Sequence, residues 1–450
     1  MTLFGTAGIR GDVAETMTPA LALSVGRAVG EDAADVALGH DGRTSSPALA
    51  DAVAAGLQSA GASVERLGEV PTPALAFAAR GREGVMITAS HNPPADNGLK
   101  LFSDGEEYDR DAESRVDERV AADAPPADWD AWGEARRVDR LPAYRAAVTE
   151  YASDHGAASE SLSVAVDCGN GVGGLATPQV LRTMGADVTA LEANVDGHFP
   201  ARESKPTASS LTALAEFVAG SDADLGIAHD GDADRVVFLD AEGHIVHEDT
   251  VIAVLAEHFV RQSGATDPVV VTTPNASARI DERVSDAGGR VERVRLGALH
   301  EGIAAVRAAG EKGTETVFAA EPWKHIHPAN GPWIDGIASA AVFTRLVADS
   351  GLDALRAPVT ERPSRKVSVA CPDERKDAVM DAVGDRLPAA HPDADVSTEY
   401  GVRLEFPDAS WVLVRPSGTE PYVRVYAESD DVDELVDDVV ETVQDCVAEA

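Results

Sequence analysis

The chain has 450 residues, with 38 lysines and arginines against 77 aspartates and glutamates, giving a formal net charge of −39. That balance argues against nucleic acid as a partner, because a phosphate backbone demands a basic face, and no apolar run of about 18 residues suggests a membrane span. The length predicts three or four domains of roughly 100 to 150 residues each.

Read in chain order, Phe4 to Gly11 is FGTAGIRG and carries Arg10. Asp35 to Gly39 reads as a buried strand, followed by a helix-like stretch that ends in AGASVERL from Ala60. Val85, Met86 and Ile87 form the next strand-like run, whereas His91, Asn92, Pro93 and Pro94 continue neither strand nor helix. Ser90 is thereby left at a strand's carboxyl end, where open α/β sheets place their ligands, and is the first candidate nucleophile. Taken alone it also reads as an ordinary turn or helix cap. Lys100 follows ten residues later, in NGLK, and the acidic stretch from Ala124 to Trp132 reads as a linker.

The same plan recurs twice. Ser163 to Asp167 leads through the turn GNGVGG and MGADVTAL to a second apolar run, Leu225 to Ala228, which delivers DGDADR. Asp230, Asp232 and Asp234 place carboxylates at alternate positions, a density of oxygen ligands that suits a hard divalent cation, Mg²⁺ before others. An acidic surface turn is the bland alternative. A calcium loop is excluded, since its sixth and twelfth positions hold Arg235 and Ala241. Pro268 to Thr272 then leads through AGGRVERV to Thr316–Phe318 and the loop AAEPWKH, with Glu321, Trp323, Lys324 and His325. A carboxylate, a cation and an imidazole in one loop suit holding sugar hydroxyls and moving protons, although a loop histidine is more often merely solvated.

From about Pro363, after a linker at Val359 to Pro363, the plan breaks. A strand (Val367 to Ala370), a helix (Asp373 to Leu387), two strands (Val402 to Phe406 and Trp411 to Val414), a further strand and an acidic helix are expected. The loop RPSGTE, Arg415 to Glu420, offers a guanidinium, two hydroxyls and glycine-flanked amides, as a phosphate dianion requires, with Arg424 close behind. A plain Pro-Ser-Gly turn would look similar. The predicted fold class is α/β: three similar mixed α/β/α domains (1–140, 141–247, 248–358) plus a C-terminal α+β domain (359–450) around one central cleft, which the last domain is suited to close.

FGTAGIRG, TASHNP (Thr88 to Pro93), DGDADR, the Glu321 to His325 loop and RPSGTEP, in this order and spacing, resemble the α-D-phosphohexomutase superfamily, which includes phosphoglucomutases, phosphomannomutases and phosphoglucosamine mutases. The resemblance spans essentially the whole chain. It implies an intramolecular phosphotransferase in which Ser90 carries a phosphoryl group, a hexose 1,6-bisphosphate forms and reorients, and hexose 1-phosphate and 6-phosphate interconvert. It further implies Mg²⁺ on Asp230, Asp232 and Asp234 with phospho-Ser90, and Lys100 and His325 as acid and base. Arg10 and Arg235 would face the transferring phosphate or the sugar. Arg415, Ser417, Gly418, Thr419 and Arg424 would hold the other phosphate.

Two departures bear on the substrate. Trp323 stands where the family commonly has a serine that helps to hold the sugar, with Glu321, Lys324 and His325 around it, and loss of such a hydroxyl alters discrimination among sugars. Val294 to Gly297, VRLG, replaces a threonine- and lysine-containing segment and makes Arg295 a possible phosphate contact. General resemblance leans to a phosphomannomutase or phosphoglucomutase. A phosphoglucosamine mutase, a phosphopentomutase, a metal-dependent sugar phosphatase and a non-catalytic sugar-phosphate sensor are the alternatives. Acidic residues spread evenly along the chain suggest a surface adapted to high salt. The start leaves no room for a signal peptide and predicts a cytoplasmic protein. Three widely spaced cysteines argue against both a disulfide framework and a zinc site.

Overall fold

The computed structural model describes residues 3–5, 8–123, 125–160, 162–417 and 420–450. Thr6 and Ala7 of the opening motif, Ala124 of the first linker, and Gly418 and Thr419 of the RPSGTE loop lie outside them. The chain forms two compact units, one of Met1–Glu248 with Trp323–Leu355 and one of Asp249–Pro322 with Arg356–Ala450.

In the first unit, the strands Asp35–His40, Ser63–Glu69 and Glu83–Ile87 pair in parallel, with Asp35–His40 in the middle. Asp96–Ser103 returns antiparallel beside Glu83–Ile87, and Ile9–Asp12 adds antiparallel to its far side. A second sheet repeats this order. Ser163–Asp167 lies between Asp187–Leu191 and Leu225–His229, both parallel to it, and Val236–Leu239 returns antiparallel. The central strands read as near-continuous apolar runs because both faces are covered. The helices Pro19–Gly30 and Ser46–Ser59 cross where each has a glycine: a Cβ at Gly26 would lie 2.4 Å from the Val53 carbonyl oxygen, and one at Gly56 would lie 2.2 Å from that of Leu23.

In the second unit, Asp267–Thr272 again lies between two parallel partners, Arg290–Arg293 and Thr314–Glu321. All three sheets therefore share the order second–first–third. The chain reverses direction across the sheet between the first and third strands, the point where doubly wound sheets bind ligands. Each third strand ends at a signature loop. The C-terminal sheet is antiparallel throughout, in the order Ser364–Ala370, Tyr422–Glu428, Trp411–Pro416, Val402–Glu405, Asp395–Ser397. Its helices Lys376–Ala390 and Val432–Glu449 share one core with it, through Val379, Val383, Leu387, Val436, Val439 and Val443.

The expected helix from Asp373 begins as a short 3₁₀ turn at Asp373–Arg375 and becomes α-helical at Lys376. The three cysteines are unbridged and buried. Among the described residues no helix is long and apolar enough to cross a membrane.

Candidate active site

Glu83–Ile87 ends in the buried residues Thr88, Ala89 and Ser90. Beyond the strand, main-chain groups need other partners. Thr88 supplies one: its Oγ1 accepts from the Ser90 amide at 2.9 Å and donates to Asp41 Oδ2 at 2.7 Å. Ser90 adopts φ = 49°, in the left-handed region, which costs a non-glycine residue about 1 kcal/mol. Its Oγ donates to Asp232 Oδ2 at 3.1 Å and accepts from Arg10 Nη2 at 3.2 Å. Gly231 allows the Ser90 and Asp230 loops to meet, for a Cβ there would stand 2.7 Å from the Ser90 carbonyl oxygen.

Asp230, Asp232 and Asp234 follow the fully buried strand Leu225–His229 and are themselves at most 2% exposed. Lys100 Nζ donates to Asp232 Oδ2 at 2.9 Å and to Asp234 Oδ2 at 2.5 Å, and Thr72 Oγ1 donates to Asp232 Oδ2 at 2.6 Å. Burial opposes ionisation of all three carboxyls. Burial, reinforced by Asp234 and Asp232, pushes Asp230 up. At Asp232 the opposition of burial and Asp234 is outweighed by Lys100 and Thr72, which hold it below the usual range. At Asp234 burial is outweighed by Lys100, Lys324 and Arg235. Lys100, whose charge burial disfavours, is held cationic by Asp232 and Asp234.

One oxygen on each carboxylate, Asp230 Oδ2, Asp232 Oδ1 and Asp234 Oδ1, is buried without a hydrogen-bond partner. A ligand oxygen from each lies within 4.8 Å of the others. Hard oxygen donors gathered and left unsatisfied in this way fit a divalent cation.

Arg235 is placed beside this cluster, its Nε 3.7 Å from Asp230 Oδ2 and 4.0 Å from Asp234 Oδ1. Lys324 bridges to Arg235 through the main chain. Trp323 takes φ = 69° and packs against the second sheet's core, which includes Leu211, Leu214 and Val237. His325 is brought to another buried group: its Nδ1 is 2.9 Å from Ser339 Oγ, which also lies 2.8 Å from His327 Nε2. Burial pushes His325 down to about 3, so the imidazole is neutral.

In the second unit, Glu321 Oε2 accepts from the Gly297 amide at 3.1 Å, and Arg295 pairs with Glu301. Arg415 and Arg424 stand directly opposite each other on adjacent strands, an unfavourable like-charge pairing unless an anion or acceptor lies between them. Arg415 Nη2 donates to Tyr426 Oη at 3.0 Å and Arg424 pairs with Glu420, yet both Nε atoms are buried without a partner. Ser417 is buried and its amide donates to the Tyr422 carbonyl at 2.9 Å. Gly418 and Thr419, the other two residues expected to hold a phosphate here, lie outside the described residues.

Sequence reading missed Arg43, Asp41, Thr72 and Lys376. Lys376 Nζ donates to the carbonyls of Ser417 and Glu420 at 2.6 and 2.7 Å, tying both ends of the phosphate-type loop. For Asp41 and Arg43 a signal existed: charged residues at the carboxyl end of a repeat's first strand, HDGR, on the edge that carries the nucleophile loop.

Comparison with known proteins fits this arrangement. Residues 1–126, 142–243 and 367–445 match phosphoglucomutase/phosphomannomutase α/β/α domain I, α/β/α domain II and the C-terminal domain. A phosphopentomutase of Thermococcus kodakarensis is 42% identical over 100% of this chain and 99% of its own length. A probable phosphoglucosamine mutase of Methanopyrus kandleri is 42% identical over 99% of this chain and 98% of its own. A solved phosphoglucomutase/phosphomannomutase family protein from Burkholderia thailandensis superposes with a TM-score of 0.86 at 24% identity, covering 99% of this chain and 97% of that one. The chain belongs to the α-D-phosphohexomutase superfamily and is an enzyme of that family. Neither of these two relatives carries the phosphomannomutase or phosphoglucomutase name towards which the general resemblance leans.

Proposed function

We propose that this enzyme is a phosphosugar mutase that carries the transferring phosphoryl group on Ser90 and interconverts a sugar 1-phosphate with the isomer phosphorylated on the terminal hydroxyl, through a sugar bisphosphate. The observation that carries the reading is the Ser90 hydroxyl between Asp232 and Arg10, beside three carboxylates and Lys100. Phosphoryl transfer depends mostly on positioning and charge stabilisation. Asp230, Asp232 and Asp234 would hold a divalent cation, Mg²⁺ by the hardness of the donors, which when bound neutralises charge on the transferring group. Arg10 fixes the seryl oxygen, and Arg235 and Lys324, from two further loops, add positive charge beside Asp234. Lys100 as cation and His325 as neutral imidazole divide the acid and base roles. We assign the non-transferring phosphate to Arg415, Ser417, Gly418 and Thr419 with Arg424, and the sugar hydroxyls to Glu321 and Lys324.

For the sugar, the relatives' names support glucosamine 1-phosphate first. Ribose 1-phosphate is a second reading, supported by the phosphopentomutase relative at 42% identity over the whole chain. Phosphorus NMR at high KCl with Mg²⁺ and a trace of bisphosphate, run on glucosamine, glucose, mannose and ribose 1-phosphates, tests both. Conversion of one sugar, lost in Ser90→Ala and after EDTA, is the expected outcome. Release of inorganic phosphate instead would support a phosphatase, and tight binding without labelling of Ser90 a sensor.

A further inference from the structure

Arg43 lies behind the nucleophile loop, 1% exposed. An arginine has five N–H donors in a fixed fork, and here all five are used. Nε donates to Asp41 Oδ2 at 3.1 Å. Nη1 donates to the carbonyls of Pro93 and Asp96 at 2.6 and 2.9 Å, and Nη2 to those of Ser90 and Asn92 at 2.9 and 2.7 Å. Phe199 covers the guanidinium, its ring centroid 5.1 Å away. Ser204 Oγ reaches two of the same carbonyls, Ser90 at 3.3 Å and Asn92 at 3.4 Å.

A trans peptide directs its N–H opposite to its carbonyl. The residues that follow Asn92 and Pro93 are prolines and have no N–H. Of the three loop peptides whose carbonyls Arg43 gathers at Ser90, Asn92 and Pro93, only Ser90–His91 therefore presents a donor on the side away from the guanidinium. The same clamp, with Thr88 on the Ser90 amide, holds Ser90 at a positive φ that serine does not favour.

We propose that Arg43 is a positioning residue for phosphoryl transfer: it holds Ser90 Oγ in register with Asp232 and Arg10, and orients the His91 amide as a donor to the phosphoryl group on Ser90. The proposal rests on the reading of Ser90 as phosphoryl carrier. Arg43→Lys keeps the charge and loses the fork. In single-turnover transfer from glucose 1,6-bisphosphate to the dephosphorylated enzyme, followed by intact-protein mass, this variant is expected to label Ser90 about 100-fold more slowly, as for a misplacement of about 1 Å. KM for the sugar phosphate should stay within about threefold, because the clamp touches the phosphoryl-carrying loop and not the sugar. A merely structural arginine would lower the melting temperature and leave the labelling rate of the folded protein within about threefold; that result would overturn the proposal. If Arg43→Lys does not fold, Ser204→Ala decides, with labelling about fivefold slower expected and an unchanged rate counting against the clamp. A wild-type enzyme that turns over without labelling Ser90 sinks the carrier reading and the clamp together. A labelled wild type matched by an equally fast Arg43→Lys sinks the clamp alone.

Discussion

Lys376 shows what a single buried side chain does for a loop it does not belong to. Its ammonium, 8% exposed, takes the Ser417 and Glu420 carbonyls and also pairs with Asp373 at 2.6 Å. Lys376→Met removes two charge-assisted hydrogen bonds and frees both ends of the loop. KM for the sugar phosphate is expected to rise about tenfold while kcat changes by less than about threefold, measured by steady-state kinetics at high KCl. An equal fall in kcat at unchanged KM would place Lys376 in the chemical step instead. Neither Lys376 nor Arg43 was legible as such a support. Each acts on carbonyls roughly 40 to 50 positions away in sequence, and a main-chain acceptor leaves no mark on residue type.

At the scale of the element, the repeated strands were the most legible part. Asp35–His40, Ser163–Asp167 and Asp267–Thr272 form where the apolar runs predict them, because strands covered on both faces have to be apolar. Asp395–Ser397 was missed for the opposite reason: it is an exposed edge strand of three residues with no apolar pattern to read. The crossing of Pro19–Gly30 over Ser46–Ser59 makes a direct prediction. Gly26→Ala would drive a methyl group against the Val53 carbonyl, and overpacking of this kind costs about 1–3 kcal/mol. The urea midpoint should fall accordingly, with kcat per folded molecule unchanged.

The helix Gly336–Ser350 makes another prediction. Its Ser339 meets His325 and His327, both kept neutral by burial, His325 down to about 3 and His327 well below its ordinary value, with His325 and His155 adding to the effect on His327. Unfolded histidine titrates near 6.5, so between about 6.5 and 3 the unfolded chain binds protons that the native one refuses. The stability conferred by each neutral imidazole is complete above pH 6.5 and is lost as pH falls, at about 1.4 kcal/mol per pH unit. Unfolding free energies from pH 7.5 to 5 at fixed KCl should show this slope. Asp335, raised by its own burial, works in the opposite direction at lower pH, so comparison with His327→Gln isolates one imidazole: the variant's slope should be shallower by about one proton.

Over the whole molecule the dominant quantity is the net charge of −39. The screening length falls from about 10 Å at 0.1 M salt to about 3 Å at 1 M, so self-repulsion among surface carboxylates should weaken steeply over that range. Melting temperature is expected to rise as KCl goes from 0.1 to 2 M. A flat or falling curve would argue against a surface adapted to concentrated salt.

At this scale the sequence carried most of the candidate site's chemistry and little of its wiring. DGDADR announces three carboxylates through spacing alone, and the structure pairs Asp232 and Asp234 with Lys100, Asp230 with Arg235, and Asp232 with Ser90. The packing of Trp323 against the second sheet depends on neighbours far along the chain, and the turn of His325 towards Ser339 depends on a helix that begins beyond the loop, so no pattern within the loop encodes either.

The strand order that recurs in three sheets also sets what can change without harm. A scaffold copied three times, with its specialised loops confined to the ends of buried strands, lets one loop be rewritten while the other two keep their geometry. Trp323 and Lys324 come just after the third of these strands, Thr314–Glu321. On the proposed function, a change of sugar would need only a handful of new residues at the third strand's exit, and the loops of the other two sheets would be inherited as they stand.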